Sequence, residues 1–230
     1  MSLNKLISLN NPKSLISEAY RTLRTNVQFS GVDKNIKSIA ITSFNAEEGK
    51  TTTISNLAIM MARADKRVLL IDADLRRPKI HEYFEMNNIS GLTNALILNQ
   101  PLKSIRKKSK VKGLDILTSG PKPPNPSEIL DSNAMKILIS QAEEEYDRIL
   151  LDSPPIGAVT DPAILSVIVD GTILVINHGK TSIDEAKRAK LLLENVNANI
   201  LGVVLNKIPK NSKGYYNNYY HQNYYAEGKC

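Results

Sequence analysis

The chain has 230 residues, 42% of them hydrophobic, and a formal net charge of +7. This size and content suit one domain with a substantial core, and the basic excess suggests anionic partners such as nucleotides or membrane surfaces. Its one cysteine, Cys230, excludes a disulfide framework within one chain, and the lack of a long apolar run or signal-type N-terminus leads us to expect a cytosolic protein.

The first predicted elements are a polar N-terminal arm over residues 1–13 and a helix over residues 14–29. Apolar residues recur in the helix near the helical period. Glu18, Arg21 and Arg24 follow at three-residue steps, which puts the three charges along one side of the helix. From spacing alone, we interpret these charges as a solvated face.

The stretch from residue 39 to residue 53 predicts a strand, a phosphate-binding loop and a helix. A β-branched apolar run leads into Gly49-Lys50-Thr51, and a helical pattern follows over residues 51–64. Unpaired N–H groups at a helix N-terminus hold phosphate oxygens, while Gly49 allows close approach, Lys50 reaches the β/γ-phosphates and the Thr51 hydroxyl can ligate Mg²⁺. We therefore expect Lys50 to be exposed at this site. Phe44 stands where the strict motif has its first glycine.

Three aspartates lie at the ends of two further apolar strands. Asp72 and Asp74 end the strand predicted over residues 67–74, and Asp152 follows the strand over residues 147–151. Parallel strands open on the same sheet edge, where carboxylates can hold Mg²⁺ directly or through water. Alone, each aspartate is as typical of a helix cap or a turn. Together with the Gly-Lys-Thr sequence they predict a phosphate and metal site.

The remaining segments alternate between strands and helices. Strands are predicted over residues 114–118, 171–177 and 200–206, and helices over residues 132–146, 161–169 and 182–196, with Ser127 as a helix cap. The pattern implies an α/β fold with a mostly parallel sheet and helices on both faces. A basic cluster between them favours an exposed charged loop, with docking on anionic lipid as the alternative; it comprises Arg106, Lys107, Lys108, Lys110 and Lys112.

The C-terminal segment, residues 209–230, differs from the rest. Six of the nine tyrosines lie within eleven residues: Tyr215, Tyr216, Tyr219, Tyr220, Tyr224 and Tyr225. No aliphatic residue separates them, so the segment cannot bury a core and we expect it to be disordered when unbound.

These motifs together resemble the bacterial tyrosine kinases of the CapB/CpsD type, the soluble capsule and exopolysaccharide kinases of Gram-positive bacteria. The similarity runs from Glu18 to the tyrosine cluster. Its three Walker-type motifs are Gly49-Lys50-Thr51, Leu70-Ile71-Asp72-Ala73-Asp74-Leu75-Arg76-Arg77-Pro78 and Ile149-Leu150-Leu151-Asp152-Ser153-Pro154-Pro155. Glu18, Arg21 and Arg24 also match the Glu-x-x-Arg-x-x-Arg oligomerisation helix of that family, which replaces the interpretation as a solvated face.

The resemblance implies a P-loop NTPase fold over residues 1–208 and an ATP–Mg²⁺ site. Its catalytic residues would be Lys50, Asp72, Asp74 and Asp152, with Asp72 as the base for the tyrosine hydroxyl. Thr51, Asp74 and Asp152 would serve the metal. Asn206 would face adenine, and the phosphates would lie on Glu48, Gly49, Lys50, Thr51 and Thr52.

The resemblance also implies partners. The tyrosines of the C-terminal segment would be phosphorylated in trans within a homo-oligomeric ring. The cytoplasmic tail of a membrane adaptor, the polysaccharide co-polymerase, would bring the kinase to the inner face of the membrane. Other protein-tyrosine substrates are compatible with this role, and no nucleic acid is expected.

Two other hypotheses stay open at this point. One is a MinD/ParA-like ATPase switch, although Asn45 occupies the position of the signature lysine of those proteins. The other is a weakly catalytic scaffold that nucleotide assembles. Glu47 favours the scaffold, because its carboxylate would repel a phosphate chain unless it points outward.

Overall fold

Six apolar strands and one short polar strand form a single sheet at the centre of the computed structural model, which describes residues 5–30 and 36–209. The strand order is β3-β4-β2-β5-β1-β6-β7, and all described pairs are parallel except β3 with β4. The elements in chain order are α1 (Ile7–Asn10), α2 (Leu15–Phe29), β1 (Ser38–Ser43), α3 (Lys50–Ala62), β2 (Val68–Asp72), α4 (Ile80–Tyr83), α5 (Leu92–Leu98), α6 (Leu102–Ile105), β3 (Lys107–Lys108), β4 (Leu114–Leu117), α7 (Pro126–Leu130), α8 (Asn133–Glu145), β5 (Arg148–Asp152), α9 (Asp161–Ile168), β6 (Gly171–Asn177), α10 (Ile183–Glu194) and β7 (Ile200–Asn206).

The central strands are apolar throughout because both faces of the sheet are covered. Successive side chains of a strand point to opposite faces. In β2, Leu70 packs into the cluster that includes Leu57 of α3, whereas Leu69 packs into the cluster that includes Met135 of α8. This arrangement confirms the predicted α/β P-loop NTPase fold, with helices on both faces of a mostly parallel sheet.

Three of the longer helices begin where the sequence provides a capping serine. The side chain of Ser14 accepts a hydrogen bond from the Ser17 N–H, and Ser132 does the same for Met135. Ser182 forms a reciprocal capping box with Glu185 at the start of α10. Such caps satisfy backbone donors that have no partner inside the helix. Ser127, predicted as a cap, instead lies inside α7, whose N-cap is Asn125.

The basic cluster of residues 106–112 is not one exposed loop. Arg106 lies 2.9 Å from Glu145, and the Lys107 ammonium donates to the carbonyls of Asn87 and Ser90 at 2.7 and 2.9 Å. Lys107 and Lys108 also form β3, the antiparallel edge strand. The exposed-loop interpretation is therefore wrong for this part of the cluster, because tertiary partners fix two of its cations.

The described part of the predicted N-terminal arm packs against α3. Leu6 is 1% exposed, and the Ser8 N–H donates to the Asn56 side chain at 2.8 Å. The division at residue 208 stays a prediction, and the six tyrosines of the C-terminal segment lie outside the described residues. Among the helices of the described part, none has both the length and the apolar content needed to cross a membrane.

Candidate functional site

The loop between β1 and α3 has the backbone that a phosphate site requires. Gly49 is the N-cap of α3 and adopts φ of +101° in the left-handed region. A Cβ atom at this position would lie 2.0 Å from the Asn206 amide nitrogen. Both the conformation and the space therefore require glycine. The first N–H groups of α3 face the end of the sheet where β1, β2 and β5 also end.

Glu48 and Asn206 hold this loop in place. The Glu48 side chain is 2% exposed; it accepts hydrogen bonds from the Thr181 hydroxyl and, at 3.3 Å, from the Asn45 N–H. Its carbonyl accepts from the Asn206 amide at 2.9 Å. Glu48 can thus offer a phosphate only its backbone. Asn206 fastens the loop to the end of β7.

Lys50 is nearly buried, at 7% exposed, so the expectation of an exposed lysine is wrong. Its ammonium folds back over the loop and donates to the Ser43 hydroxyl at 3.0 Å. Burial lowers the pKa of Lys50, while the nearby carboxylates of Asp152 and Asp74 act in the opposite direction. A cation held this way is positioned before any phosphate arrives.

Asp72 and Asp152 lie side by side, because β2 and β5 pair in a register that aligns them. Both are buried, and each has one carboxylate oxygen, Oδ1, without a hydrogen-bond partner among the described residues. The other oxygen of Asp152 accepts from the Thr51 hydroxyl at 2.6 Å; that of Asp72 accepts from the Lys79 and Ile80 N–H groups at 3.1 and 2.9 Å.

The electrostatics of this pair favour a bound cation or proton. Burial raises the pKa of Asp152 to about 7. Burial, followed by repulsion from Asp152, raises the pKa of Asp72 well above its usual range. Two adjacent buried carboxylates with unpartnered oxygens are costly unless a positive charge joins them.

Asp74 lies in the turn after β2, and its expected role at a metal stays a prediction. One of its carboxylate oxygens accepts from the N–H groups of Arg76 and Arg77 at 3.2 and 2.9 Å, which stabilises the turn after β2. In the described part of the chain, no group of three or more aspartate, glutamate, histidine or cysteine residues could together hold a metal ion. Mg²⁺ usually takes one or two carboxylates together with substrate phosphates. The unpartnered Asp152 oxygen, together with the Thr51 hydroxyl, fits that requirement.

Four contacts at the site were not foreseen from the sequence. Arg76 donates to both oxygens of the fully buried Asp161, at 2.8 and 3.0 Å, and to Ser127 at 3.0 Å. Ser127 donates to Asp161 at 2.7 Å. Thr52, predicted to bind phosphate, has its hydroxyl 3.1 Å from the Tyr83 hydroxyl, which leaves its backbone N–H to face a ligand. Arg76, directly after the Asp-x-Asp motif, was the one sequence signal for such an acidic partner.

The three charges of α2 have partners within their own chain. Arg21 contacts the Glu18 carboxylate and donates to the Pro12 carbonyl at 2.6 Å. Arg24 reaches the Met60 carbonyl of α3 at 3.4 Å. Glu18 and Arg21 remain 45% and 36% exposed, so a neighbouring molecule could still contact them.

Comparisons with known proteins agree with this geometry. Residues 36–201 match a family described as an AAA domain. The tyrosine-protein kinase YwqD of Bacillus subtilis (strain 168) is 47% identical over 214 residues, 92% of this chain and 90% of that protein. CapB of Staphylococcus aureus is 41% identical, over 89% of this chain and 91% of CapB. The solved kinase domain of the Escherichia coli tyrosine kinase ETK superposes with a TM-score of 0.87 at 34% identity, over 90% of this chain and 81% of that one.

Proposed function

Because the chain belongs to the bacterial tyrosine kinases of the CapB type, we propose that it transfers the γ-phosphoryl group of ATP to the tyrosine cluster of its own C-terminal segment, on a neighbouring copy. The observation that carries the proposal is the Asp72–Asp152 pair, with Thr51 on Asp152 and Lys50 close by. An acid pair, a hydroxyl and a cation at a helix N-terminus are the groups that phosphoryl transfer needs.

Lys50 and the first N–H groups of α3 would bind the phosphates of ATP. Lys50 would exchange the neutral Ser43 hydroxyl for a phosphate oxygen, so that the buried ammonium gains an anionic partner. Thr51 and Asp152 would hold Mg²⁺, with Asp74 beside them acting through water. When bound, Mg²⁺ neutralises the charge that develops on the transferred group.

Asp72 would accept the proton of the incoming tyrosine. A free phenol has a pKa near 10 and is almost wholly protonated at pH 7. The unpartnered Oδ1 of Asp72 is free to accept that proton as the phenolic oxygen bonds to phosphorus and ADP departs. The raised pKa of Asp72 makes it a stronger base than an ordinary carboxylate.

We infer that Glu47 leaves the phosphate site open. It adopts φ of +62°, its side chain is exposed, and its carbonyl accepts from Lys207 at 2.7 Å. These features support an outward direction of the carboxylate, which would weaken the repulsion that favoured a scaffold. In the proposed pathway, this kinase regulates the synthesis and export of capsule or exopolysaccharide. The cytoplasmic tail of a membrane adaptor recruits it to the membrane. Tyrosines of other proteins are further candidate substrates.

The test is to incubate the full chain with ATP and Mg²⁺, and then to map phosphate by mass spectrometry. We expect phosphotyrosine among residues 215–225. Release of free phosphate with an unmodified C-terminal segment would contradict the proposal and favour an ATPase switch. Neither product, with nucleotide still bound, would favour a scaffold.

A further inference from the structure

A second concave site lies at the edge of the sheet opposite the phosphate loop. It is a cavity of about 450 Å³ between the end of α3, the start of β2 and the loop before β4. Gly113 adopts φ of +84°, and its carbonyl accepts from the Val68 N–H at 2.8 Å, which brings the two loops together. We call this cavity the basic pocket; it is lined by Leu9, Ala62, Arg63, Asp65, Lys66, Arg67, Lys110, Val111, Lys112 and Gly113.

The basic pocket combines an apolar floor with an excess of positive charge. Leu9, Ala62 and Val111 supply apolar surface, while five cations and one carboxylate line the rest. Arg67 lies 3.6 Å from Asp147 and Lys110 lies 3.1 Å from Glu85, so three acids in all face the five cations and the excess is two.

Three of the five cations form no close ion pair with an acid among the described residues. Arg63 donates to the neutral carbonyls of Ser8 and Leu9, at 2.6 and 3.4 Å, which fixes its position without cancelling its charge. Lys66 and Lys112 are exposed, and neither forms an ion pair in the described part of the chain. A ligand that carries an anionic group on an aromatic ring would match both the rim and the floor.

We propose that the basic pocket binds the phosphorylated C-terminal segment, residues 210–230, through its phosphotyrosines. This inference rests on the proposed function, which makes that segment the phosphoacceptor. Residues 210–230 carry three lysines and one glutamate, a side-chain charge of +2 that the pocket repels. Each phosphotyrosine adds about −1.5 to −2. Two of them reverse the sign of the segment, so phosphorylation itself creates the affinity.

The length of the segment selects which tyrosines can bind within one molecule. Five strand spacings separate β7 from β4, and one strand length separates the two edges, a diagonal of roughly 29 Å. Tyr215 follows Pro209 by six residues, at most ~21 Å of chain, whereas Tyr225 follows by sixteen, at most ~56 Å. Tyr215 and Tyr216 therefore fall short of the pocket of their own chain, whereas the four later tyrosines can reach it, Tyr224 and Tyr225 with the most chain to spare. All six can reach the pocket of a second copy.

A lipid surface fits this site less well. A bilayer requires basic residues spread over an accessible face, whereas part of the basic cluster is turned inward and the remaining cations surround a concavity. Binding here would move the product away from the catalytic edge, so that an unmodified tyrosine can enter.

The experiment measures binding of a labelled synthetic peptide of residues 209–230 to the full, dephosphorylated chain without ATP or Mg²⁺. Fluorescence anisotropy should show that a peptide phosphorylated at Tyr224 and Tyr225 binds at least about tenfold more tightly than the unmodified peptide. The pocket variant Lys66→Ala/Lys112→Ala should lose about tenfold in affinity. The matched variant Lys136→Ala/Lys187→Ala, which removes two exposed charges elsewhere, should change affinity by less than about twofold.

Equal losses in the two variants, or equal binding of both peptides, would overturn the inference. Preferential binding of phosphatidylserine vesicles through Lys66 and Lys112, with no preference for phosphopeptide, would assign the pocket to lipid and overturn it as well. Mass spectrometry of the C-terminal segment tests the proposed function separately. A segment that the enzyme phosphorylates, but whose synthetic phosphopeptide does not discriminate, would refute the pocket alone.

Discussion

At the scale of single residues, Lys50 is a nearly buried cation at the start of α3, and its proposed role in phosphoryl transfer can be tested directly. The change Lys50→Met keeps a side chain of similar length and removes a nearly buried charge. We expect it to abolish phosphorylation of the C-terminal segment while leaving the urea midpoint unchanged or raised. Phosphotyrosine mapping and urea titration measure the two effects, with Lys136→Met as an exposed control. Undiminished phosphotyrosine in Lys50→Met would remove Lys50 from the mechanism.

Asp152 offers a second test at this scale. Asp152→Asn retains an oxygen that can accept from Thr51 but loses the charge that would face Mg²⁺. We expect kinase activity to fall by about 10² or more, as for one positioned electrostatic group, and the Mg²⁺ requirement to rise. The exposed Asp131→Asn serves as control. If Asp152→Asn titrated Mg²⁺ and turned over like the parent, this use of the strand-end carboxylate would be wrong.

At the scale of elements, the Arg76–Asp161 pair joins the turn after β2 to the start of α9. Burial alone would raise the pKa of Asp161, but hydrogen bonds from Arg76 and Ser127 lower it below its usual value. As the pH falls, Asp161 of the unfolded chain therefore takes up its proton before Asp161 of the folded chain does. Above the usual aspartate pKa of about 3.9, the ionised carboxylate stabilises the fold. This contribution is lost as the pH falls through the lower pKa of the folded state.

We accordingly expect Asp161→Asn to reduce the free energy of unfolding at pH 7 by about 1–3 kcal/mol. The difference from the parent should stay constant down to about pH 4 and shrink below it, since the parent's Asp161 becomes protonated only as the pH falls through its lowered folded pKa. Urea titrations across this range measure both quantities. A penalty that stays constant with pH would show that Asp161 acts through packing and not through its charge.

The same elements show how far sequence reasoning extends. The apolar runs predicted six strands, and the helical patterns placed the starts of α2, α8 and α10 to within one residue, because these signals are local. The four-residue helices α1, α4 and α6 and the two-residue β3 were missed, since a segment of about one period cannot reveal a repeating pattern.

The site was predicted in its residues but not in its contacts. The strand ends brought Asp72, Asp152 and Thr51 together as expected. The burial of Lys50 and the inward turn of Glu48 were not foreseen. Glu48 contacts Thr181, 133 positions away, and such tertiary partners leave no trace in local spacing.

At the scale of the whole molecule, the exposed charges of α2 bear on assembly. Because Glu18 already contacts Arg21 within its helix, a subunit contact would have to replace or extend that pair. Arg24 is partly committed to the Met60 carbonyl, so Arg21 is the cleaner residue to test. Repeated head-to-tail contacts of one surface with another close into rings when the rotation permits.

The length of the C-terminal segment does not distinguish phosphorylation within one molecule from phosphorylation between two copies, so kinetic measurements are needed to separate them. Three strand spacings, roughly 14 Å, separate β7 from β5. A flexible chain of seven residues would span roughly 13–16 Å, so Tyr215 could approach its own site or that of a neighbour. We expect transfer between subunits, with a rate that rises with protein concentration.

A Lys50→Met chain mixed with an active chain ending at residue 208 should acquire phosphotyrosine that it cannot make itself. Arg21→Ala in both chains should reduce this labelling and the mass measured by light scattering. Lys190→Ala is the control, because it breaks a comparable exposed ion pair with Glu194 within α10, and it should change neither quantity. An unlabelled Lys50→Met chain, together with self-labelling of the intact enzyme at a rate independent of concentration, would show instead that each molecule modifies itself.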